Sequence, residues 1–159
     1  MSDYWFSSAR VNDLLRIFGP YGSFYLKPNK TSTLLFLATG TGIAPIKSIL
    51  EEMNQQKRRY SKEKVYLLWG NRSSKNIYWK PKFEFLDVSV FNILSKKDPK
   101  WTGHLGYVQD YIEKLNLDIN NLNVYACGSI NMIRDSKKRF IDLGLLENKF
   151  HSDAFVASD

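Results

Sequence analysis

Three short stretches of the chain are apolar almost throughout instead of alternating with polar residues. They cover residues 33–38, 65–69 and 122–127. Continuous apolar runs of this length are typical of strands that are covered on both faces, as in parallel sheets. A weaker, alternating run over residues 85–91 indicates a fourth strand. The pattern therefore predicts a parallel sheet buried between two layers.

Helical periodicity fills the intervals between these strands. Apolar residues recur at helical spacing over residues 43–58, 107–115 and 130–143. Pro45 falls in the first turn of the first helix, where proline is tolerated, and Gly144 follows the third as a C-cap. Strands alternating with helices predict a doubly wound α/β fold with right-handed crossovers.

The beginning of the chain does not fit this alternation. Residues 13–18 predict one antiparallel strand, and residues 19–24 predict a turn. We interpret residues 1–28 as the end of a preceding domain and residues 29–159 as the α/β domain.

Composition narrows the class of protein. Of 159 residues, 43% are apolar and 14% aromatic, which excludes a disordered chain. The net charge of +7 favours an acidic partner, which could be phosphate, nucleic acid, an anionic membrane or an acidic protein. The single cysteine, Cys127, forms no internal disulfide, and no signal peptide or membrane-length apolar run is present. We therefore expect a cytoplasmic protein without a membrane span.

A glycine-rich turn joins the first predicted strand to the first predicted helix. Gly40 and Gly42 there allow backbone N–H groups and the helix N-terminus to approach a pyrophosphate. Pro45 occupies the place of the third glycine in the usual dinucleotide fingerprint, and the lysine of a triphosphate-binding loop is missing. The alternative is a tight turn without a ligand, but the position between strand and helix favours phosphate binding.

A second candidate lies at the end of the strand predicted over residues 122–127. Cys127 and Gly128 stand where ligands bind in such sheets. A lone cysteine is more often a small buried apolar residue than a nucleophile, and neither His104 nor His151 is near it in sequence. We expect contact with a ligand ring there.

Two further loops follow predicted strands. Arg72 and Ser73 follow one, and Ser95 and Lys96 follow another. These side chains could hold phosphate or ribose oxygens. On the residues alone, the alternative is favoured, in which the first loop caps the next helix with Arg72 in water and the basic pair of the second loop is solvated. No metal site is expected, because the sequence has no His, Cys, Asp and Glu cluster with ligand spacing.

Taken in order, these motifs resemble the nucleotide domain of the ferredoxin–NADP reductase superfamily. The matching segments are Gly19-Pro20-x-Gly22-x-Phe24, Gly40-Thr41-Gly42-Ile43-Ala44-Pro45, Gly70-x-Arg72, Cys127-Gly128-x-x-x-Met132 and Asp153-x-Phe155. Within the superfamily, residues 101–108 and 152–155 are similar to the CDP-deoxyglucoseen reductases and the oxygenase reductases. Members of those groups carry flavin and iron–sulfur centres, and they pass electrons into deoxysugar synthesis or ring hydroxylation.

The resemblance implies roles for individual residues at the glycine-rich turns. Gly40, Thr41 and Gly42 would wrap the pyrophosphate, with Pro45 as part of the family pattern. The other turn would contact the nicotinamide. Cys127 would lie beside the carbon that gives up hydride, Gly128 would border the ring, and Met132 would support the loop.

The remaining roles concern the two ends of the nucleotide. The residues implied at the adenosine ribose and any 2′-phosphate are Arg72, Ser73, Ser95 and Lys96. Asp153 would lie near the nicotinamide and the flavin, and Phe155 near the isoalloxazine ring. Cations could favour NADPH, whereas the similar reductases generally use NADH, so we expect NADH.

The resemblance implies that residues 1–28 are the C-terminal remnant of a flavin-binding β-barrel, with one remnant strand. The sequence departs from the family in lacking the rest of that barrel and a four-cysteine iron–sulfur motif. We therefore expect FAD on a missing preceding domain, an iron–sulfur domain or protein as electron acceptor, and no activity from this chain alone. Hydride transfer requires the two rings to be held close together. The alternative is a non-catalytic basic module that docks onto an acidic electron-transfer protein, and nucleic-acid binding is not expected.

Overall fold

Six parallel strands form a single sheet in the order β4-β3-β2-β1-β5-β6. The computed structural model describes residues 4–19, 21–28, 32–56, 59–60 and 62–154. The elements, in chain order, are β1 Thr33–Thr39, α1 Ile43–Gln55, β2 Lys64–Asn71, β3 Val88–Leu94, β4 His104–Leu105, β5 Leu122–Gly128, α2 Ile130–Asp142 and β6 Phe150–Ala154. The predicted doubly wound α/β fold is confirmed.

Both faces of the sheet are covered, which explains why its central strands are apolar at most positions. Successive side chains of a strand point to opposite faces, so Leu34 and Phe36 pack beneath α1 while Leu35 and Leu37 face the α2 side. The residues of α1 that are buried in this way are Ile43, Ile46, Ile49, Leu50 and Met53. Two separate cores therefore hold β1 rigidly in the middle of the molecule.

The order of the strands reverses beside β1. The chain moves from β1 through β2 and β3 to β4 in one direction, then crosses back to β5 and β6 on the other side of β1. Parallel sheets of this kind have a crevice at the carboxyl ends of the strands where the order reverses. This crevice lies between the ends of β1 and β5.

Two predicted elements differ from the structure. The helix predicted over residues 107–115 is two single-turn 3-10 helices, Val108–Tyr111 and Glu113–Leu115, ended by Asn116 at a φ of 45°. A nine-residue segment is too short for a stable helix on its own, and burying Val108 and Ile112 needs only short turns. The strand predicted over residues 85–91 lies three residues later, because Ile93 and Leu94 are the buried end of β3.

The strand predicted over residues 13–18 is also absent, although all of these residues are described. Leu14, Ile17 and Phe18 lie exposed in a segment without regular structure. A strand needs a neighbour for its N–H and C=O groups, and the described residues provide none for this segment. By contrast, Phe24 and Leu26 pack partly buried against the core on the α1 side of the sheet.

None of the helices in the described ranges is long and apolar enough to cross a membrane.

Candidate functional site

A cleft of about 940 Å³ opens at the carboxyl edge of the sheet, where the strand order reverses. Its volume is in the upper part of the range for small-molecule sites. The residues that line it come from the ends of β1, β2, β3 and β5, from the loop before Val108 and from the start of α2. They are Thr39, Gly40, Thr41, Gly70, Asn71, Arg72, Asn76, Tyr78, Ser95, Gly106, Tyr107, Val108, Gln109, Gly128, Ser129, Asn131, Met132 and Asp135.

The turn after β1 contains two glycines, and glycine is favoured at each of them for a different structural reason. Gly40 has a φ of 53°, and a Cβ there would meet nothing within 4 Å, so open space lies beside its backbone. At Gly42 a Cβ would lie 2.1 Å from the carbonyl oxygen of Cys127, so this residue is needed for packing against β5. Of the predicted pyrophosphate residues, Gly40 and Thr41 line the cleft and Gly42 lies behind it.

The N-terminus of α1 faces the end of this turn. Its N-cap is Gly42, and no side chain caps the first backbone N–H groups. Pro45 is the third residue of the helix, is half-buried and does not line the cleft. The N–H of Ile43 already donates to the carbonyl of Thr41, so the positive end of the α1 dipole is what favours an anion here.

The turn after β5 is fastened directly to β1. Gly128 has a φ of 137°, and a Cβ on it would lie 2.2 Å from Oγ1 of Thr39. The backbone N–H of Ser129 donates a 2.9 Å hydrogen bond to the same Thr39 oxygen. Ser129 also caps α2, since its Oγ accepts a hydrogen bond from the N–H of Met132 at 3.3 Å. Thr39 thus joins two loops whose sequences gave no sign of a link, and it is a cleft residue that the motifs missed.

Cys127 is fully buried at the end of β5 and does not line the cleft. Burial, together with the negative charge of Asp153, raises the pKa of its thiol to about 11. The thiol is therefore protonated at neutral pH and is a poor nucleophile. Asp153 lies opposite Cys127 on β6, exposed to solvent and outside the cleft lining. Phe155, the last predicted site residue, lies outside the described residues.

The four residues predicted at the adenosine end divide into two pairs. Arg72 and Ser95 line the cleft, whereas Ser73 and Lys96 do not. The loops are nevertheless tied together, because the N–H of Lys96 donates to the carbonyl of Arg72 at 3.2 Å. Ser73 uses its hydroxyl within its own loop, donating to Oδ1 of Asn76 at 2.8 Å.

The lining includes several side chains that motif analysis did not select. Tyr78 and Tyr107 are both exposed, at 67% and 60%, and border the cleft from different loops. Gln109, Asn131 and Asp135 complete its polar wall. A signal for Tyr107 was present in the Gly-Tyr-Val sequence before the short helix, but its apolar periodicity suggested a buried helix instead.

Within the described ranges, no group of three or more His, Cys, Asp and Glu side chains lies close enough together to hold a metal ion. The chemistry of the lining is that of a nucleotide site. It combines a glycine turn with open space, a helix N-terminus, exposed aromatic rings, and the guanidinium and hydroxyl groups of Arg72 and Ser95.

The reversal of strand order beside a glycine turn and an uncapped helix N-terminus defines a dinucleotide-binding domain of the doubly wound class. Residues 36–138 match the oxidoreductase NAD-binding domain, and the chain belongs to that family. The resemblance to the ferredoxin–NADP reductase superfamily is thereby confirmed.

Individual relatives agree with this assignment. The chain is 37% identical to the CDP-6-deoxy-L-threo-D-glycero-4-hexulose-3-dehydrase reductase of Yersinia pestis, over 99% of this chain and 48% of that protein. It is 31% identical to reductase component 1 of terephthalate 1,2-dioxygenase of Comamonas sp, over 94% of this chain and 45% of that protein. The chain thus spans about half the length of the relatives it matches.

A solved structure supports the fold. The cytochrome b5 reductase domain of Ulva prolifera nitrate reductase superposes with a TM-score of 0.79, at 17% identity, over 96% of this chain and 64% of that one.

Proposed function

We propose that this chain binds NAD(P)H in the cleft and presents the nicotinamide ring to a flavin carried on another part of a longer reductase. The observation that carries the proposal is the cleft itself, which is bounded by two glycine turns at the reversal of strand order. Its lining comes from the ends of four strands and its volume is about 940 Å³, which suits an extended dinucleotide better than a compact ligand.

The pyrophosphate would lie at the turn formed by Gly40 and Thr41. Open space beside Gly40 lets phosphate oxygens approach its backbone, and the α1 dipole favours their negative charge. The adenosine half would then extend towards Arg72 and Ser95, where the guanidinium group can donate hydrogen bonds to ribose or phosphate oxygens.

The two exposed tyrosines suit the adenine base. Tyr78 and Tyr107 border the cleft from different loops, and an exposed aromatic face can stack on a purine.

The nicotinamide half would extend towards Gly128 and Met132. Bound NAD(P)H supplies a hydride, and the residues of this chain hold and orient the ring. Since Cys127 is buried and its pKa is raised to about 11, its proposed part is to shape the floor beneath the ring as a neutral group. Asp153, next to Cys127 on β6, is proposed to face the flavin, with Phe155 following it along the chain.

The further parts of the proposed electron path rest on the relatives. Both relatives named above are reductases about twice as long as this chain, so FAD is proposed on a preceding barrel of which residues 1–28 would be the C-terminal remnant, with residues 29–159 as the NAD(P)-binding domain. An iron–sulfur domain or protein is proposed as the acceptor, in deoxysugar synthesis or an oxygenase system. NADH is the proposed nucleotide, and the cytoplasm the proposed location.

A second function is favoured by a different observation, the net charge of +7. A basic module that docks onto an acidic electron-transfer protein would bind it with strong salt dependence and without any need for nucleotide.

Titration calorimetry with NADH, NADPH and ADP-ribose separates the two functions. We expect saturable binding of all three, with NADH at least as tight as NADPH. In buffer without added flavin, the chain should not oxidise NADH in the presence of an artificial electron acceptor, because no flavin is held beside the nicotinamide. Failure of all three nucleotides to bind would overturn the proposed function.

A further inference from the structure

Asn71 is the last residue of β2, and its side chain is unusual for a position in the cleft wall. It is 6% exposed, it lines the cleft, and its amide nitrogen Nδ2 is buried without a hydrogen-bond partner. Buried polar groups in folded proteins are nearly always paired, because an unpaired donor has lost its water and gained nothing. An unpaired amide at this position therefore requires an explanation.

The backbone around Asn71 is firmly held. Its carbonyl accepts a 2.9 Å hydrogen bond from the N–H of Ser95, and its Cα pairs with that of Leu94 on β3. The side chain points to the same face of the sheet as Trp69, two residues earlier. Trp69 donates from its indole nitrogen to the carbonyl of Gly40 at 3.2 Å, so this is the face that carries the glycine turn. The unpaired amide thus lies on the side of the sheet where the proposed pyrophosphate would bind.

A second asparagine gives an internal comparison. Asn92 pairs in register with Trp69 on the neighbouring strand, so it shares the face of Asn71. Its Oδ1 is likewise buried without a partner, but Asn92 does not line the cleft. Both side chains are asparagine amides on one face of the sheet, but the unpaired atom is the donor Nδ2 at Asn71 and the acceptor Oδ1 at Asn92, and of the two only Asn71 lines the cleft.

We propose that the side-chain amide of Asn71 donates a hydrogen bond to an oxygen of the phosphate–ribose backbone of the bound nucleotide. This inference rests on the proposed function. A donor that is unpaired in the free protein gains a full hydrogen bond when the cleft fills, so ligands with an oxygen at that point are selected over those without one. Asn71 would then contribute to affinity at the expense of the stability of the free domain.

Replacing each asparagine with leucine, which has the same number and branching of side-chain heavy atoms but no polar group, tests this directly. The Asn71→Leu variant removes the unpaired donor, so we expect a Tm equal to or above that of the wild type, together with about tenfold weaker NADH binding. The Asn92→Leu variant should also keep or raise the Tm, but should bind NADH with unchanged affinity. Asn71→Ala, which cannot overfill the site, gives the same comparison if the leucine variant does not fold.

The outcomes separate the two proposals. Unchanged NADH affinity in the Asn71 variants, or an equal loss in Asn92→Leu, would overturn the role of Asn71 and leave the proposed function standing. A wild-type chain that binds no nucleotide would overturn the proposed function itself.

Shorter nucleotides then identify the oxygen that is contacted. If AMP already binds more weakly to Asn71→Leu than to the wild type, the contact lies on the adenosine ribose or its phosphate. A difference that begins with ADP indicates the second phosphate, and one that begins with ADP-ribose indicates the other ribose. Equal affinities of wild type and variant for all three would overturn the inference.

Discussion

The two sides of the cleft are built in different ways. The side formed by the ends of β1 and β5 is held together by backbone packing, with Gly42 and Gly128 each leaving no room for a Cβ. The side formed by the loops after β2 and β3 presents exposed side chains, such as Arg72 and Ser95. The first side fixes where a pyrophosphate can lie, and the second side can change without disturbing the fold. Substitutions at the packed glycines of the first side should therefore affect folding, and substitutions on the second side should affect selectivity.

The largest effect is expected from Gly42→Ala. The new Cβ would lie 2.1 Å from the carbonyl oxygen and 2.5 Å from the carbonyl carbon of Cys127, and neither is the end of a flexible side chain. We expect a loss of about 3 kcal/mol or more in the free energy of unfolding, measured by urea denaturation.

Gly40→Ala is the matched control in the same turn. A Cβ there meets nothing within 4 Å, so only the strain of a φ of 53° remains, at about 1 kcal/mol. Equal losses for the two variants would contradict the distinction between packing and open space.

Thr41→Glu should come next, and should affect binding rather than folding. Thr41 is exposed and lines the cleft beside the uncapped start of α1, where a carboxylate would repel the phosphates of the nucleotide. We expect at least tenfold weaker NADH binding by calorimetry, with a Tm close to that of the wild type. Ser48→Glu, on an exposed position of α1 outside the cleft, should bind NADH as the wild type does.

The buried thiol on the backbone side gives a pH-dependent prediction. The pKa of Cys127 is raised from 9.0 to about 11, so the unfolded chain loses this proton at a lower pH than the folded chain. The stability from this group is fully present below pH 9 and is lost as the pH rises from about 9 to 11. Between pH 8 and pH 10 the free energy of unfolding, measured by urea denaturation, should fall in both proteins. We expect the fall to be about 1 kcal/mol smaller in Cys127→Ala than in the wild type. Parallel pH profiles for the two proteins would contradict the raised pKa.

The smallest effect on nucleotide binding is expected on the side of the cleft formed by the loops after β2 and β3. Arg72→Ala should weaken NADPH binding about fivefold and NADH binding less, since an exposed guanidinium group contributes modestly to holding a 2′-phosphate. Lys96→Ala removes the same charge from a residue outside the lining, and should change either affinity less than twofold. A larger effect from Lys96 would reverse the order of these two residues.

The comparison also explains how far the sequence could predict the molecule. Strands such as residues 33–38 and 122–127 were predictable because double burial favours apolar residues at nearly every position. The turn at Gly40 was predictable because a glycine-rich segment directly between a strand and a helix is typical of a phosphate-binding turn.

The different structural roles of Gly40 and Gly42 could not be predicted from the sequence. The need for Gly42 depends on Cys127, which is distant in sequence and adjacent only once β5 lies beside β1. Asn71 and Tyr78 were missed for the same reason, since nothing local distinguishes a polar or aromatic residue that borders a cleft from one that faces water. Contacts formed by topology leave no local periodicity to detect.

The bond between Ser129 and Thr39 has a consequence for how the site comes into existence. It joins residues 90 positions apart in sequence, so the cleft is incomplete until β5 has been synthesised and has docked beside β1. Contacts between such distant residues form slowly, because a long loop must close before they can. During synthesis, a chain that has reached only α1 has no place to hold a dinucleotide, so the ligand cannot assist the first half in folding. The appearance of nucleotide binding would thus mark one of the last steps of folding, and its rate in a refolding experiment would measure when β5 docks beside β1.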